Sequence, residues 1–397
     1  VDPNFDLDFH LRWVSGGSGH TMRDVLDYAQ PIAMQSFDRA RPQWEIHVVE
    51  GLDDGGAAMI VKIHHAITDG VGAVAMAMIL FELAREPAHE TPLPPEPEPD
   101  VMGPFERLVD GIRHEIDRER EAGHLVAGGV SAAVTALLRD PGTALRQGGA
   151  VAASAGRLIA PATRPKSAVM TERSLKMHFD TLRVPLDLAK AAARMAGGRL
   201  NDAFVAATTA GLRRYHEAHG ASTGTLRMAM PINVRHDDDG AAGGNHFVPA
   251  RFDVPLVIDD PVERMRSVHE LVAEQRAEPA LDLVDPMAGV LNRLPRSVTT
   301  EVFGSVLRGV DVVTSNVPGA PIELFSAGAK VTDMFAFAPL AGAAINITLL
   351  SYVDRCYVAV NSDRAAVVDP ERLIDCLRQG WDEILAVADD SPIAIAT

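Results

Sequence analysis

The chain has little cysteine and little lysine, and its aromatic content is low. Of 397 residues only Cys356 and Cys376 are cysteine. Their separation matches neither a metal-ligand nor a redox pattern, so a disulfide framework is excluded and a reducing cytoplasm is the simplest setting. Basic residues number 37 against 54 acidic ones, a formal charge of −17. That deficit argues against nucleic acid as a partner and against electrostatic capture by anionic lipid, so any membrane contact must be hydrophobic. There is no Gly-x-Ser-x-Gly elbow, no P-loop lysine motif and no leader legible from Val1 onward. The apolar stretches are also short. Leu125–Leu138 falls below the roughly 20 residues that a bilayer span takes, and Met334–Leu350 is interrupted by Pro339 and Asn346.

What remains is an ordinary globular composition, 47% hydrophobic, in a chain long enough for two or three domains. Phe5–Trp13 alternates like an edge strand, and Met22–Met34 has helical spacing. Trp44–Glu50 reads as a strand, with Asp53-Asp54-Gly55-Gly56 as a hairpin turn into a second strand, Ala58–His65. Val71–Arg85 then reads as a nearly all-apolar helix. Pro87–Pro99 is proline-rich, acidic and exposed. Three helices are expected beyond it, at 103–121, 125–138 and 143–160, the second either a buried bridge or a surface that dips into lipid. Ala162–Ser167 looks like a crossing into a second domain, so the chain divides into 1–165 and 166–397. The second part alternates strands near 173–180, 225–234, 246–254, 310–316, 329–337, 344–353 and 355–361 with helices near 186–196, 201–219, 261–277, 298–308 and 370–388. Such mixing of strands and helices predicts an α/β or α+β layered fold with mixed sheets and flanking helices.

The ionisable cluster at the end of Ala58–His65 is the centre of interest. Successive side chains on a strand point to opposite faces, so His64 and His65 should not share a target. Histidine is the side chain whose ordinary pKa suits removal of a proton from an alcohol near neutrality. Asp69 orients an imidazole or braces the turn through an arginine, and Gly70 keeps bulk away from the site. A metal site from His64, His65 and Asp69 lacks further ligands. Gly70-Val71-Gly72 mimics a dinucleotide fingerprint, yet its acidic partner, Glu90, falls in the proline-rich run rather than after a second strand.

His64-His65-x-x-x-Asp69-Gly70 resembles the signature of the CoA-dependent acyltransferase superfamily, which includes chloramphenicol acetyltransferase and peptide-synthetase condensation domains. The segments Ser36–Glu45, Leu200-Asn201-Asp202, Pro231–Arg235, Gly244-Asn245, Ser315–Gly319 and Asn346–Tyr352 narrow it to the bacterial wax ester synthase/acyl-CoA:diacylglycerol acyltransferases. The resemblance implies two chloramphenicol-acetyltransferase-like halves with the active site between them, and His65 as general base. It implies that members carry several dozen residues ahead of the position matching Val1, so the first half is expected to lack its start. Asp69 is then structural, paired with Arg235, or with Arg12 or Arg41. Asn201 and Asp202 line the cleft or merely cap a helix, Ser315 or Asn316 lines a substrate channel or serves a turn, and Asp38, Arg39, Trp44 and Glu45 brace the motif strand. Oxyanion donors are sought in backbone N–H groups near Gly70 or in the Asn316 amide. The implied substrates are long-chain acyl-CoA and either diacylglycerol or a fatty alcohol, with no metal or prosthetic group. An apolar channel and attachment to the inner membrane surface or lipid droplets follow as expectations. The alternatives are another hydroxyl, amine or carrier-bound acceptor, and a non-catalytic lipid-binding role.

Overall fold

The computed structural model describes residues 5–65, 67, 72, 76, 79–86, 102–117, 120, 139–140, 149, 164–222, 224–233, 247–277 and 309–389. The chain divides into two compact units, one of Asp6–Glu90, Ala162–Arg276 and Leu307–Thr397, the other of Val1–Phe5, Thr91–Pro161 and Ala277–Val306. In the second unit, residues 104–117 are helical. Of the expected helix 143–160 only residue 149 is described, and it is helical; the expected helices 125–138 and 298–308 lie outside the described residues.

The first unit holds two sheets. A three-stranded mixed sheet is built from β1 (Leu11–His20), β2 (Trp44–Leu52) and β3 (Ala57–Ile63), with β1 parallel and β3 antiparallel to β2. A six-stranded mixed sheet runs β4 (Met177–Pro185), β11 (Arg355–Asp363), β10 (Ile345–Tyr352), β7 (Val312–Pro318), β5 (Thr225–Asn233), β6 (Phe247–Pro255). β8 (Phe325–Ser326) and β9 (Ala329–Lys330) form a small ribbon.

The helices of this unit whose bounds fall among the described residues are, in chain order, α1 (Leu7–His10), α2 (Met22–Met34), α3 (Leu186–Met195), α4 (Leu200–Ala218), α5 (Pro261–Arg276) and α6 (Pro370–Asp389). α2 starts where Thr21 and Asp24 exchange capping hydrogen bonds. It joins the two sheets. Leu26 and Ala29 meet Ile60 of β3 and Phe179 of β4. At the ends of that contact, Arg23 donates to Phe179 O at 2.7 Å and to Asp180 at 3.0 Å, while the Gln30 side-chain Oε1 accepts the Phe179 N–H at 3.2 Å. α4 is buried along most of its length: Ala203, Ala206, Ala207, Ala210 and Gly211 are small and apolar, and the buried Thr209 hydroxyl donates to the Ala206 carbonyl at 3.0 Å. It crosses α6, whose Leu377, Trp381 and Ile384 are also buried.

Three expectations need correction. Leu7–His10 is a helical turn rather than strand, because the Asp6 carboxylate accepts the Asp8 N–H at 3.1 Å and starts a helix. The apolar helix after the motif does not run to Arg85. Glu82 instead exchanges two 2.8 Å backbone hydrogen bonds with Phe325, and Phe81 packs beside Leu324 and Tyr352. Of the strand expected at 329–337, only Ala329–Lys330 pairs.

Candidate active site

β2 and β3 are joined by a tight turn in which Gly55 takes φ +80°, a conformation that favours glycine, and the Asp54 carboxylate accepts the Gly56 N–H at 2.8 Å. The register pairs Glu45 with Lys62 and Trp44 with Ile63. Alternation then sorts the side chains: Glu45, His47, Ile60 and Lys62 face α2, and Trp44, Val61 and Ile63 face the other way. On the α2 side, Tyr28 Oη lies 3.0 Å from His47 Nδ1, and His47 Nε2 lies 3.4 Å from Glu45. Glu45 also accepts from Lys62 Nζ at 2.8 Å and meets Arg12 at 3.7 Å. Burial pushes the Glu45 carboxyl up, but the hydrogen bond and charge of Lys62, with His47, bring it below its ordinary value. Burial also holds His47 below the usual histidine range.

β3 ends at Ile63, two residues before the expected limit, so both histidines stand just past the strand. The ladder still guides them. The His64 N–H donates to Gln43 O at 2.9 Å, and the chain then turns as Ile67 N–H bonds to His64 O at 2.9 Å. Both His64 and His65 are exposed, and the His64 ring lies 6.0 Å from that of Phe37. Asp69, Gly70 and Arg235 lie outside the described residues.

The supporting segment before β2 is a turn organised by Asp38. Its carboxylate accepts the Ala40 N–H at 2.9 Å and lies 3.4 Å from Arg41, and its carbonyl accepts from Gln43 at 2.9 Å. Arg39 is exposed on the same turn. Arg41 sits over the Phe9 ring at 4.0 Å.

The other expected site residues come from the six-stranded half. Asp202 is buried in the first turn of α4, where it accepts the Arg199 N–H at 2.7 Å and faces His269 Nδ1 of α5 at 2.9 Å. This is helix-cap geometry with an added link between two helices. The Asn201 amide points to Met230 of β5, 3.5 Å from its sulfur. Ser315 and Asn316 are neighbours on β7, opposite Thr348 and Leu349 of β10. Strand alternation sends them to opposite faces of the sheet, so they do not line one channel together. The Pro318-Gly319 turn requires glycine, since a Cβ at 319 would lie 2.1 Å from Ser351 O.

Sequence reasoning passed over Phe37, Lys62 and His269. A signal existed for Lys62, which shares strand parity with His64. The His269–Asp202 pairing joins residues 67 apart and leaves no local trace.

Comparisons with known proteins agree with this arrangement. Residues 1–204 match the wax ester synthase/diacylglycerol acyltransferase catalytic domain, and residues 243–385 match the WS/DGAT C-terminal domain. Rv2484c of Mycobacterium tuberculosis H37Rv, named as a candidate diacylglycerol O-acyltransferase, is 39% identical over 390 residues, covering 98% of this chain and 78% of its own. Rv3087 of the same organism, similarly named, is 28% identical over 404 residues, covering 98% and 82%. The solved wax ester synthase/diacylglycerol acyltransferase of Marinobacter aquaeolei VT8 shares the fold, with a TM-score of 0.61 at 23% identity over 98% of this chain and 82% of that one. The cyclization-docking bidomain EpoB of Sorangium cellulosum resembles it in fold at TM-score 0.51 and 12% identity, over 96% and 70%. A two-sheet layered fold with paired histidines at a strand end, and a match in both domain models, give one conclusion: the chain belongs to the wax ester synthase/diacylglycerol acyltransferase family.

Proposed function

We propose that this chain transfers a long-chain acyl group from acyl-CoA to the hydroxyl of diacylglycerol, of a fatty alcohol, or of both. The observation that carries the reading is the exposed His64-His65 pair at the end of β3, inside a segment that matches the family's catalytic domain. In the proposed step His65 accepts the acceptor hydroxyl proton as that oxygen attacks the thioester carbonyl. The carbon–sulfur bond then breaks, and the imidazolium returns the proton to the departing CoA thiolate. Ester and free CoA thiol are the products, so the atoms balance with no further co-reactant. Asp69 and Arg235 brace the turn in this reading, and Gly70 leaves room beside the base. Asn201, Asp202 and one of Ser315 and Asn316 are proposed to bound the substrate space, with Asp202 acting through the α4 start that it caps. The two acyltransferase halves are taken as residues 1–165 and 166–397.

Both substrates carry long apolar chains, which supports contact with a membrane or lipid-droplet surface. Ile79, Leu80 and Leu83, soon after the motif, are 83%, 54% and 61% exposed, and apolar side chains held in water favour such contact. Among the described residues no helix is long and apolar enough to cross a membrane. Purified protein given palmitoyl-CoA with either dioleoylglycerol or hexadecanol should release CoA thiol and form the matching ester, resolved by lipid chromatography. Absence of ester with both acceptors refutes the neutral-lipid assignment.

A further inference from the structure

We propose that Phe37, held in place by Lys62 and Glu45, is a positioning residue that sets the orientation of the His64-His65 pair. The inference rests on the reading of His65 as the base.

The side chain of Lys62 is 14% exposed. A nearly buried ammonium must be surrounded by acceptors, and this one is. It donates to Glu45 Oε1 at 2.8 Å and to the carbonyl of Gln35 at 2.8 Å, and it sits over the face of Phe37, 4.3 Å from the ring centroid. Glu45 is itself fixed by Arg12 and by His47, which Tyr28 holds in turn. Lys62 is therefore anchored from the sheet, from the end of α2 and from the ring at once.

Lys62 and His64 project from the same side of β3 because they are two residues apart, and the His64 N–H still pairs with Gln43 beyond the strand's formal end. Phe37 meets both. Its ring lies against the Lys62 ammonium and, tilted by 55°, 6.0 Å from the His64 imidazole. With His64 held by that ring and its N–H by Gln43, the turn that carries His65 and closes at Ile67 starts from a fixed point. Phe37 and Gln43 both belong to the connection between α2 and β2, so one short segment fixes the backbone and the side chain of His64 together. Removing the ring takes away one of the contacts that hold His64, and the turn that carries His65 no longer starts from a single position.

The test is steady-state kinetics of Phe37→Leu, Phe37→Tyr, Lys62→Met and Lys62→Arg, alone and with His65→Ala, using palmitoyl-CoA and the better acceptor. Misplacing a reacting group by a fraction of an ångström is expected to lower kcat about tenfold in Phe37→Leu and Lys62→Met, with both KM values within about twofold of the parent. Phe37→Tyr and Lys62→Arg, which keep the ring and the cation, should recover kcat to within about threefold. In the His65→Ala background Phe37→Leu should change the residual rate by less than about twofold, since its effect passes through the histidine pair. Parental kcat in both Phe37→Leu and Lys62→Met overturns the proposal, as does an equal loss in the presence and absence of His65. Full activity in His65→Ala alone identifies a different failure, that of the base assignment itself.

Discussion

Replacing Gly380 by alanine sets two physical effects against each other at the crossing of α4 and α6. In an isolated helix the change is favourable by about 1 kcal/mol, because glycine has more backbone entropy to lose. At this crossing a Cβ on residue 380 would lie 2.3 Å from Ala207 O and 2.8 Å from Gly211 N. The first distance is about 1 Å short of ordinary contact. Both atoms belong to the α4 backbone, so no side chain can rotate away. Facing it, a Cβ at Gly211 would lie 2.7 Å from the Cα of Leu377. Relief requires the helices to separate, which loosens Phe204, Leu212, Leu377 and Trp381, all buried. Overpacking of a tight core costs about 1–3 kcal/mol or more, and with unyielding backbone the upper end applies. The net expectation is destabilisation by about 2 kcal/mol. In urea unfolding followed by tryptophan fluorescence, to which buried Trp381 contributes, the midpoint should fall by roughly 0.5 M with little change in slope. Gly111, in the helical segment 104–117, has nothing within 4 Å of its would-be Cβ. Gly111→Ala should leave stability unchanged or raise it. A rise in the midpoint for Gly380→Ala would show that helix propensity wins and that the crossing is looser than described.

Two other predictions concern the segment that leads into β4. Asp311 is fully buried, and its carboxylate accepts the N–H groups of Lys166 at 3.0 Å, Ser167 at 2.9 Å and Arg227 at 2.7 Å; Asp311→Asn turns an amide against these donors and should destabilise by about 3–5 kcal/mol in thermal unfolding, whereas an unchanged transition would contradict the network. His216 is buried between Ser167 Oγ at 2.8 Å and Leu212 O at 2.7 Å, and burial holds its pKa below the ordinary value of 6.5 despite the Leu212 carbonyl. The unfolded chain thus binds its proton first, so stability should fall as pH drops below about 6.5, with a shallower fall in His216→Gln; equal slopes for both proteins would refute this.

The parts of the fold that could be read from sequence are those whose cause is local. α2 begins and ends where its period-3.6 spacing places it, and the β2–β3 hairpin follows from its Asp-Gly turn. The misread stretches owe their form to distant partners. The stretch read as a strand at 329–337 pairs only at Ala329–Lys330, and side chains meet three carbonyls in and just after the rest of it: Tyr357 donates to Thr332 O at 2.7 Å, Asn361 to Ala338 O at 3.0 Å and Asn346 to Pro339 O at 2.7 Å. Those three acceptors are met without a neighbouring strand. Likewise Phe81 and Glu82 leave the helical pattern because Phe325 offers two backbone hydrogen bonds. At the site, the motif itself was visible as four fixed positions, and its link to an acyltransferase family came from resemblance rather than from periodicity. The clamp around Lys62 was not visible, since Gln35, Phe37 and Glu45 converge on it only after β2 and β3 pair.

The most direct test of the central claim is the rate of ester formation from palmitoyl-CoA by His65→Ala beside the parent protein, with circular dichroism and urea unfolding matched between the two. Loss of a positioned general base predicts a fall in kcat of about 10²–10⁴-fold with the fold unchanged. Activity within a few-fold of the parent, in a folded variant, would contradict the assignment of His65 and with it the account of the site.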